Sequence, residues 1–194
     1  MSEEKIQNYL DQQVKSISVL KNSYKTLIEI YNIIKNARDK NTQIFVMGNG
    51  GSASTASHFV SDLLKTSITN EAKRFKAMSL SDNIPVLLAW SNDVSYDKIF
   101  SSQLENFLQK DDVVIGISGS GNSKNVLNAI EFANQKQAVT IGLSGKGGGK
   151  LSELAKINLT VQSDDMLTIE TMHLLICHLI TTLIRSNGTP KFSY

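Results

Sequence analysis

The sequence predicts an α/β fold: a three-layer sandwich, with a five-stranded parallel sheet between two layers of helices and a helical extension ahead of it. Three observations predict it. Past Lys40, short runs rich in Val and Ile alternate with stretches of helical spacing. No internal repeat, low-complexity tract or long linker interrupts that alternation. Two of the short runs end in glycine–serine turns that each lead into a helix.

The elements follow in order. Residues 3–37 lack proline and glycine and repeat apolar residues at helical spacing: Ile6, Leu10, Val14, Ile17, Leu20, Tyr24, Leu27, Ile30, Tyr31 and Ile34. This reads as one or two amphipathic helices. A helix outside the sheet must bury its stripe, and a neighbouring subunit is a natural place. Residues 1–38 are therefore expected to be an oligomerisation segment of a single domain spanning 1–194. The expected strands are 44–47, 75–80, 113–118, 139–144 and 157–161. The expected helices are 52–66, 84–108, 123–136, 149–155 and 166–186. Strand–helix–strand connections make right-handed crossovers, which cover a parallel sheet on both faces.

Composition narrows the function. The 194 residues are 41% apolar and 20% charged, enough for one domain with a full core. The formal net charge of +2 is dispersed, with no basic block, so nucleic acid is not an expected partner. Cys177, the one cysteine, lies among leucines and isoleucine and reads as a small buried hydrophobe, in keeping with a reducing cytoplasm. The acidic N-terminus has no signal core. The apolar stretches read as shorter than the roughly 18–20 residues a membrane span needs. A cytoplasmic protein without a membrane partner is the expectation.

The chemistry concentrates at the two turns. In an open parallel sheet, ligands bind at the carboxyl ends of strands where the strand order reverses. "GNGGSAS" (48–54) and "GISGSGNSKN" (116–125) both end strands and begin helices. Glycine admits an anion close to the backbone, the helix start offers N–H groups and partial positive charge, and serine adds hydroxyls. Ser118, Ser120 and Ser123 surround the second turn and suit a phosphate monoester. Ser52 and Ser123 would also make good helix caps with no ligand at all. Neither turn is a Walker loop or a clean dinucleotide fingerprint, so no nucleotide cofactor is expected. A third turn, "SGKGGGK" (144–150), reads mainly as a tight strand-to-helix connection.

The three histidines all fall in expected helices. His58 and Asp62 are four apart and share a face; Glu170 and His173 are three apart, Glu170 and His178 eight. His173 and His178 point in different directions, which assigns one of them to structure. His58, Asp62, Glu170 and His178 suit either a divalent metal such as zinc or an acid–base pair, and spacing does not choose.

"GNGGSASTASHFVSDL", "SNDVSYDKIFSSQLE", "GISGSGNSKNVLNAI", "TIGLSGKGGGKL" and "IETMHLLICHLI" resemble, in order and spacing, the phosphoheptose isomerases of the sugar isomerase (SIS) domain superfamily. The resemblance runs over nearly the whole chain, to about Ile184. It implies the flavodoxin-like SIS sheet, a homotetramer with sites at subunit interfaces, and isomerisation of sedoheptulose 7-phosphate to a manno-heptose 7-phosphate. That reaction opens the route to nucleotide-activated heptose for surface polysaccharide such as lipopolysaccharide or capsule. By position, Ser118, Gly119, Ser120 and Ser123 match the family's phosphate cradle. Asn49, Gly51 and Ser52 match its sugar-contacting turn, and Asn92 and Asp93 a sugar-contacting loop. Asp62 matches the catalytic carboxylate and His178 the catalytic imidazole. His58, Asp62, Glu170 and His178 match the zinc ligands of some members, one ion per subunit.

The chain departs from the family in places. Many members have glutamate at Asp62, glutamine at Glu170, threonine at Gly119 and arginine at Thr66. A longer Glu170 facing a shorter Asp62 raises an exchange of roles between them, with Glu170 becoming a substrate-side base. The aspartate expected before the last helix is Asp164 or Asp165. Two other readings stay open: an isomerase of another phosphosugar, and a non-catalytic SIS protein that binds a partner such as a replication initiator.

Overall fold

The computed structural model describes residues 2–192. The chain begins with α1 (Ser2–Leu20) and α2 (Tyr24–Lys40), separated by one 3-10 turn at Lys21–Ser23. The strands are β1 (Gln43–Gly48), β2 (Lys76–Ser79), β3 (Val113–Ser118), β4 (Val139–Ser144) and β5 (Ile157–Thr160). All pair in parallel, in the order β2-β1-β3-β4-β5. Between and after them run α3 (Gly51–Ser61), α4 (Ile84–Asp93), α5 (Ser101–Phe107), α6 (Lys124–Gln135), α7 (Leu151–Leu154) and α8 (Met166–Arg185).

Strand side chains alternate between two cores. Ile44 and Val46 of β1 join the core under α2, α3 and α8, while Phe45 and Met47 join the core under α5, α6 and α7. This is the three-layer α/β sandwich expected. The strand order reverses between β1 and β3, and the two glycine–serine turns lie at the carboxyl ends of those strands.

The local differences from the sequence reading have physical causes. The expected helix 84–108 is three pieces: α4, a 3-10 turn at Tyr96–Lys98, and α5. Ser95 is extended and its hydroxyl accepts from the Asp97 N–H at 3.1 Å, so a local cap stops the helix. The expected helix 149–155 shortens to α7, because Gly147, Gly148 and Gly149 all have positive φ. The helix expected over 52–66 widens after Ser61 into a π-helical turn at Asp62–Thr66.

The expectation that no apolar stretch reaches membrane length needs correcting. α8, with 20 residues, is long and apolar enough to cross a bilayer by length and composition. It is instead the central helix of one layer, with Ile169, Met172, Ile176, Ile180 and Ile184 at 1% exposure or less. α1 is the reverse. Ile6, Leu10 and Val14 are each more than half exposed, so among the described residues the first part of its apolar stripe is uncovered, while Leu20 at its end is buried.

Candidate functional site

The turn after β3 gathers hydroxyls at the start of a helix, an arrangement that suits an anion. Ser118 Oγ donates to Ser123 Oγ at 3.0 Å and lies 3.4 Å from Ser120 Oγ, so three hydroxyls converge. Ser123 occupies the N-cap position of α6, yet its side chain caps nothing, and the capping alternative does not describe it. Ser52 is not a cap either; it lies inside α3, 5% exposed, and Gly50 holds the cap position. The 12-residue α6 adds the positive end of its dipole.

Two neighbours shape that turn. Gly119 has no room for a side chain, because a Cβ there would collide with the Met166 sulfur. Gly121 (φ 65°) packs on the Gly148 carbonyl, and the Lys150 N–H donates to Asn122 Oδ1 at 3.2 Å. The third glycine turn thus braces the anion turn as well as connecting β4 to α7.

The turn after β1 runs through Gly50 (φ 53°) into α3. Glu170 reaches it from α8: its carboxylate lies against Gly51, where a Cβ would collide with it. Asn49 is held by protein groups, its Oδ1 accepting from Tyr96 Oη at 2.8 Å and from Asn125 Nδ2 at 2.9 Å. Asn92 and Asp93 stand at the exposed end of α4, with Asn92 Nδ2 donating to Asp93 Oδ1 at 2.8 Å.

α3 packs on α8, and this brings distant residues together. His58 Nε2 lies 2.9 Å from His178 Nε2. Asp62 Oδ2 lies 3.7 Å from the first and 3.8 Å from the second. Both histidine side chains are 51% exposed, whereas Asp62 is nearly buried at the start of the π-helical turn. The three ligand atoms fall within 4.8 Å of one another. Two imidazole nitrogens and a carboxylate oxygen so arranged are a suitable donor set for a divalent metal. The same atoms can equally exchange a proton with a ligand. Glu170 lies outside this trio, against Gly51 in the turn after β1.

The remaining groups divide cleanly. His173 is fully buried, and its Nε2–H donates to the Ser144 carbonyl at 3.1 Å. Burial pushes its pKa down to about 4, so it is the structural histidine of the pair on α8. Cys177 is buried as expected, and burial together with the nearby Asp62 charge pushes its thiol up. Asp165, not Asp164, caps α8: its carboxylate accepts from the Thr168 N–H at 2.7 Å, which holds its pKa below the usual range. Sequence reasoning missed Tyr96, Asn125 and Met166. Their partners lie 47, 76 and 47 positions away respectively, beyond any local pattern.

Comparison with known proteins agrees with this architecture. A family model described as SIS domain matches residues 8–145. A phosphoheptose isomerase of Helicobacter pylori (strain P12) is 40% identical over 173 residues, covering 89% of this chain and 86% of that protein. One of Aliarcobacter butzleri (strain RM4018) is 37% identical over 179 residues, covering 92% and 94%. The solved phosphoheptose isomerase from Neisseria gonorrhoeae superposes with a TM-score of 0.89 at 26% identity, covering 96% of this chain and 100% of that one. That from Francisella tularensis gives 0.90 at 27% identity, covering 96% and 99%.

Proposed function

The chain belongs to the SIS domain family, in its phosphoheptose isomerase branch, and from that premise we propose that it isomerises sedoheptulose 7-phosphate to D-glycero-D-manno-heptose 7-phosphate. The observation that carries the reading is the His58–Asp62–His178 cluster, which α3, the π-helical turn after it and α8 assemble in a chain that also carries a turn with three converging hydroxyls.

The roles follow from the atoms. Ser118, Ser120 and Ser123, with the N-terminus of α6, hold the phosphate, and Gly119 between them has Met166 packed where a side chain would stand. Gly51, Ser52 and Glu170 frame the sugar, joined by Asn92 and Asp93 from the end of α4, while Asn49, bonded to Asn125 and Tyr96, holds that turn in place. Asp62 takes a proton from C1 of the ketose and returns it to C2. His178 donates a proton to the carbonyl oxygen at C2 and takes one from the hydroxyl at C1, so an enediol forms and collapses without net change in protons.

Zinc fits the same three donors, His58, Asp62 and His178, whereas Glu170, expected as a fourth ligand, lies against Gly51 instead. A bound ion would supply Lewis-acid polarisation of the carbonyl. The exposed stripe of α1 supports a homotetramer whose subunits cover one another's helices. A cytoplasmic role in heptose supply for lipopolysaccharide or capsule accords with this activity. Gly119, filled by Met166 where many relatives carry threonine, favours another phosphosugar as the second reading.

The test is proton NMR of the protein with sedoheptulose 7-phosphate in heavy water, with zinc and with chelator. An aldose signal carrying solvent deuterium at C2 is expected. Sugar phosphate binding without turnover in either condition would refute the assignment.

A further inference from the structure

Asn49 and Asn125 stand on opposite sides of the crevice where the strand order reverses. Asn49 follows β1, and Asn125 is in the first turn of α6 after β3. Their amides bond reciprocally: Asn49 Nδ2 donates to Asn125 Oδ1 at 2.9 Å, and Asn125 Nδ2 donates to Asn49 Oδ1 at 2.9 Å. Asn125 is 1% exposed and is oriented further by the Val126 N–H, which donates to its Oδ1 at 2.9 Å. Tyr96 Oη completes the group by donating to Asn49 Oδ1. The segment carrying Tyr96 is itself tied to α6, because Asn128 Nδ2 donates to the Asp97 carbonyl at 2.9 Å.

These bonds occupy both lone pairs of Asn49 Oδ1 and one of its two Nδ2 protons. The Asn49 side chain therefore works mainly as a strut rather than as a ligand contact. It links the turn that precedes the proton-transfer helix α3 to the helix that follows the anion turn. A cavity of about 220 Å³ lies beside the strut, lined by Gly48, Asn49, Ser81, Leu87 and Tyr96 among others, so the turn has space to move were the strut cut. Breaking the pair is costly on the Asn125 side, which is buried and would be left unsatisfied.

We propose that Asn125 and Tyr96 are positioning residues that set the span between the anion turn and the proton-transfer cluster, and that this span selects the chain length of the phosphosugar. The proposal rests on the phosphosugar reading given above. A phosphate held at Ser118–Ser123 places the far end of a ligand at a distance fixed by its carbon count. Only a ligand whose reacting carbons reach Asp62 and His178 from that anchor is selected. Letting the turn after β1 drift blurs the span without touching the anchor.

The experiment measures calorimetric affinities of the full chain for inorganic phosphate and for five-, six- and seven-carbon ketose phosphates. Wild type is compared with Asn125→Ala, Asn125→Asp and Tyr96→Phe. Asn125→Asp is nearly isosteric and keeps one of the two amide bonds; Tyr96→Phe keeps the pair and loses only the phenol. Wild type is expected to prefer one chain length. Asn125→Ala should lose that preference by about tenfold, the scale of one buried hydrogen-bonded pair, with phosphate affinity held within about threefold. Asn125→Asp and Tyr96→Phe should show smaller losses in the same direction.

Equal affinity of wild type for all chain lengths would overturn the proposal. So would unchanged selectivity in a folded Asn125 variant, or a parallel fall in phosphate affinity, which would place the effect on the anchor. If Asn125→Ala does not fold, the two conservative variants carry the test. A wild-type length preference with no turnover would refute the isomerase reading and leave the positioning role intact.

Discussion

His58 Nε2 and His178 Nε2 stand 2.9 Å apart although 120 positions separate them in the chain. One nitrogen must donate and the other accept, unless a metal replaces the proton between them. Asp62 is too far from either for a hydrogen bond, at 3.7 and 3.8 Å, but near enough to share an ion.

Metal binding is therefore the first prediction. Cobalt substituted for zinc should give a visible absorption band with wild type. His178→Ala and His58→Ala should each weaken metal affinity at least about tenfold. If wild type gives no band and chelator leaves the isomerase rate unchanged, the trio is an acid–base device only.

Asp62 and Glu170 should separate in kinetics. Asp62→Ala is expected to lower kcat by about 10²–10⁴, the usual scale of a lost general base. Glu170→Ala should act mainly on KM, because its carboxylate lies at Gly51 in the sugar turn. An active Asp62→Ala beside an inactive Glu170→Ala would establish the exchanged roles instead.

His173 should make stability depend on pH. Its folded pKa is about 4 against 6.5 for the free group, so the unfolded chain binds the proton more readily. Its contribution is complete above about pH 6.5 and is lost as pH falls toward 4, reaching about 3 kcal/mol. Urea unfolding at pH 7.0, 5.5 and 4.5 (about these values) should show a smaller pH slope for His173→Gln than for wild type.

The α1 stripe should hold subunits together. Leu10→Glu with Val14→Glu puts two charges into the exposed apolar row and should lower the assembly state in sedimentation velocity. An unchanged sedimentation coefficient would remove α1 from the interface.

The end of the chain should steady the π-helical turn. Lys191 N–H donates to the Ile68 carbonyl at 3.0 Å, and Asn70 N–H to the Thr189 carbonyl at 3.0 Å, just beyond Thr66. Deleting everything after Asn187 should cost about 2 kcal/mol in unfolding free energy, two backbone bonds' worth. Hydrogen exchange should quicken at 62–70. Unchanged exchange there would refute the coupling.

By itself the sequence determined the layered fold and pointed to the turns and helices that carry the candidate site. Apolar periodicity and glycine–serine turns are local signals, and a parallel sheet offers one edge where its ligands bind. It also showed His58 and Asp62 on one face, because four residues make about one helical turn. Tertiary structure alone decided which histidine of α8 meets them. His173 is buried, donating to the Ser144 carbonyl of β4, while packing of α3 on α8 leaves His178 half exposed beside His58. The same packing sets Glu170 against Gly51, and the start of α8 puts Met166 where Gly119 has no side chain. The strut between Asn49 and Asn125 was equally illegible. Its two bonds form only where the sheet order reverses and brings β1 beside β3, a pairing that no spacing within either segment encodes.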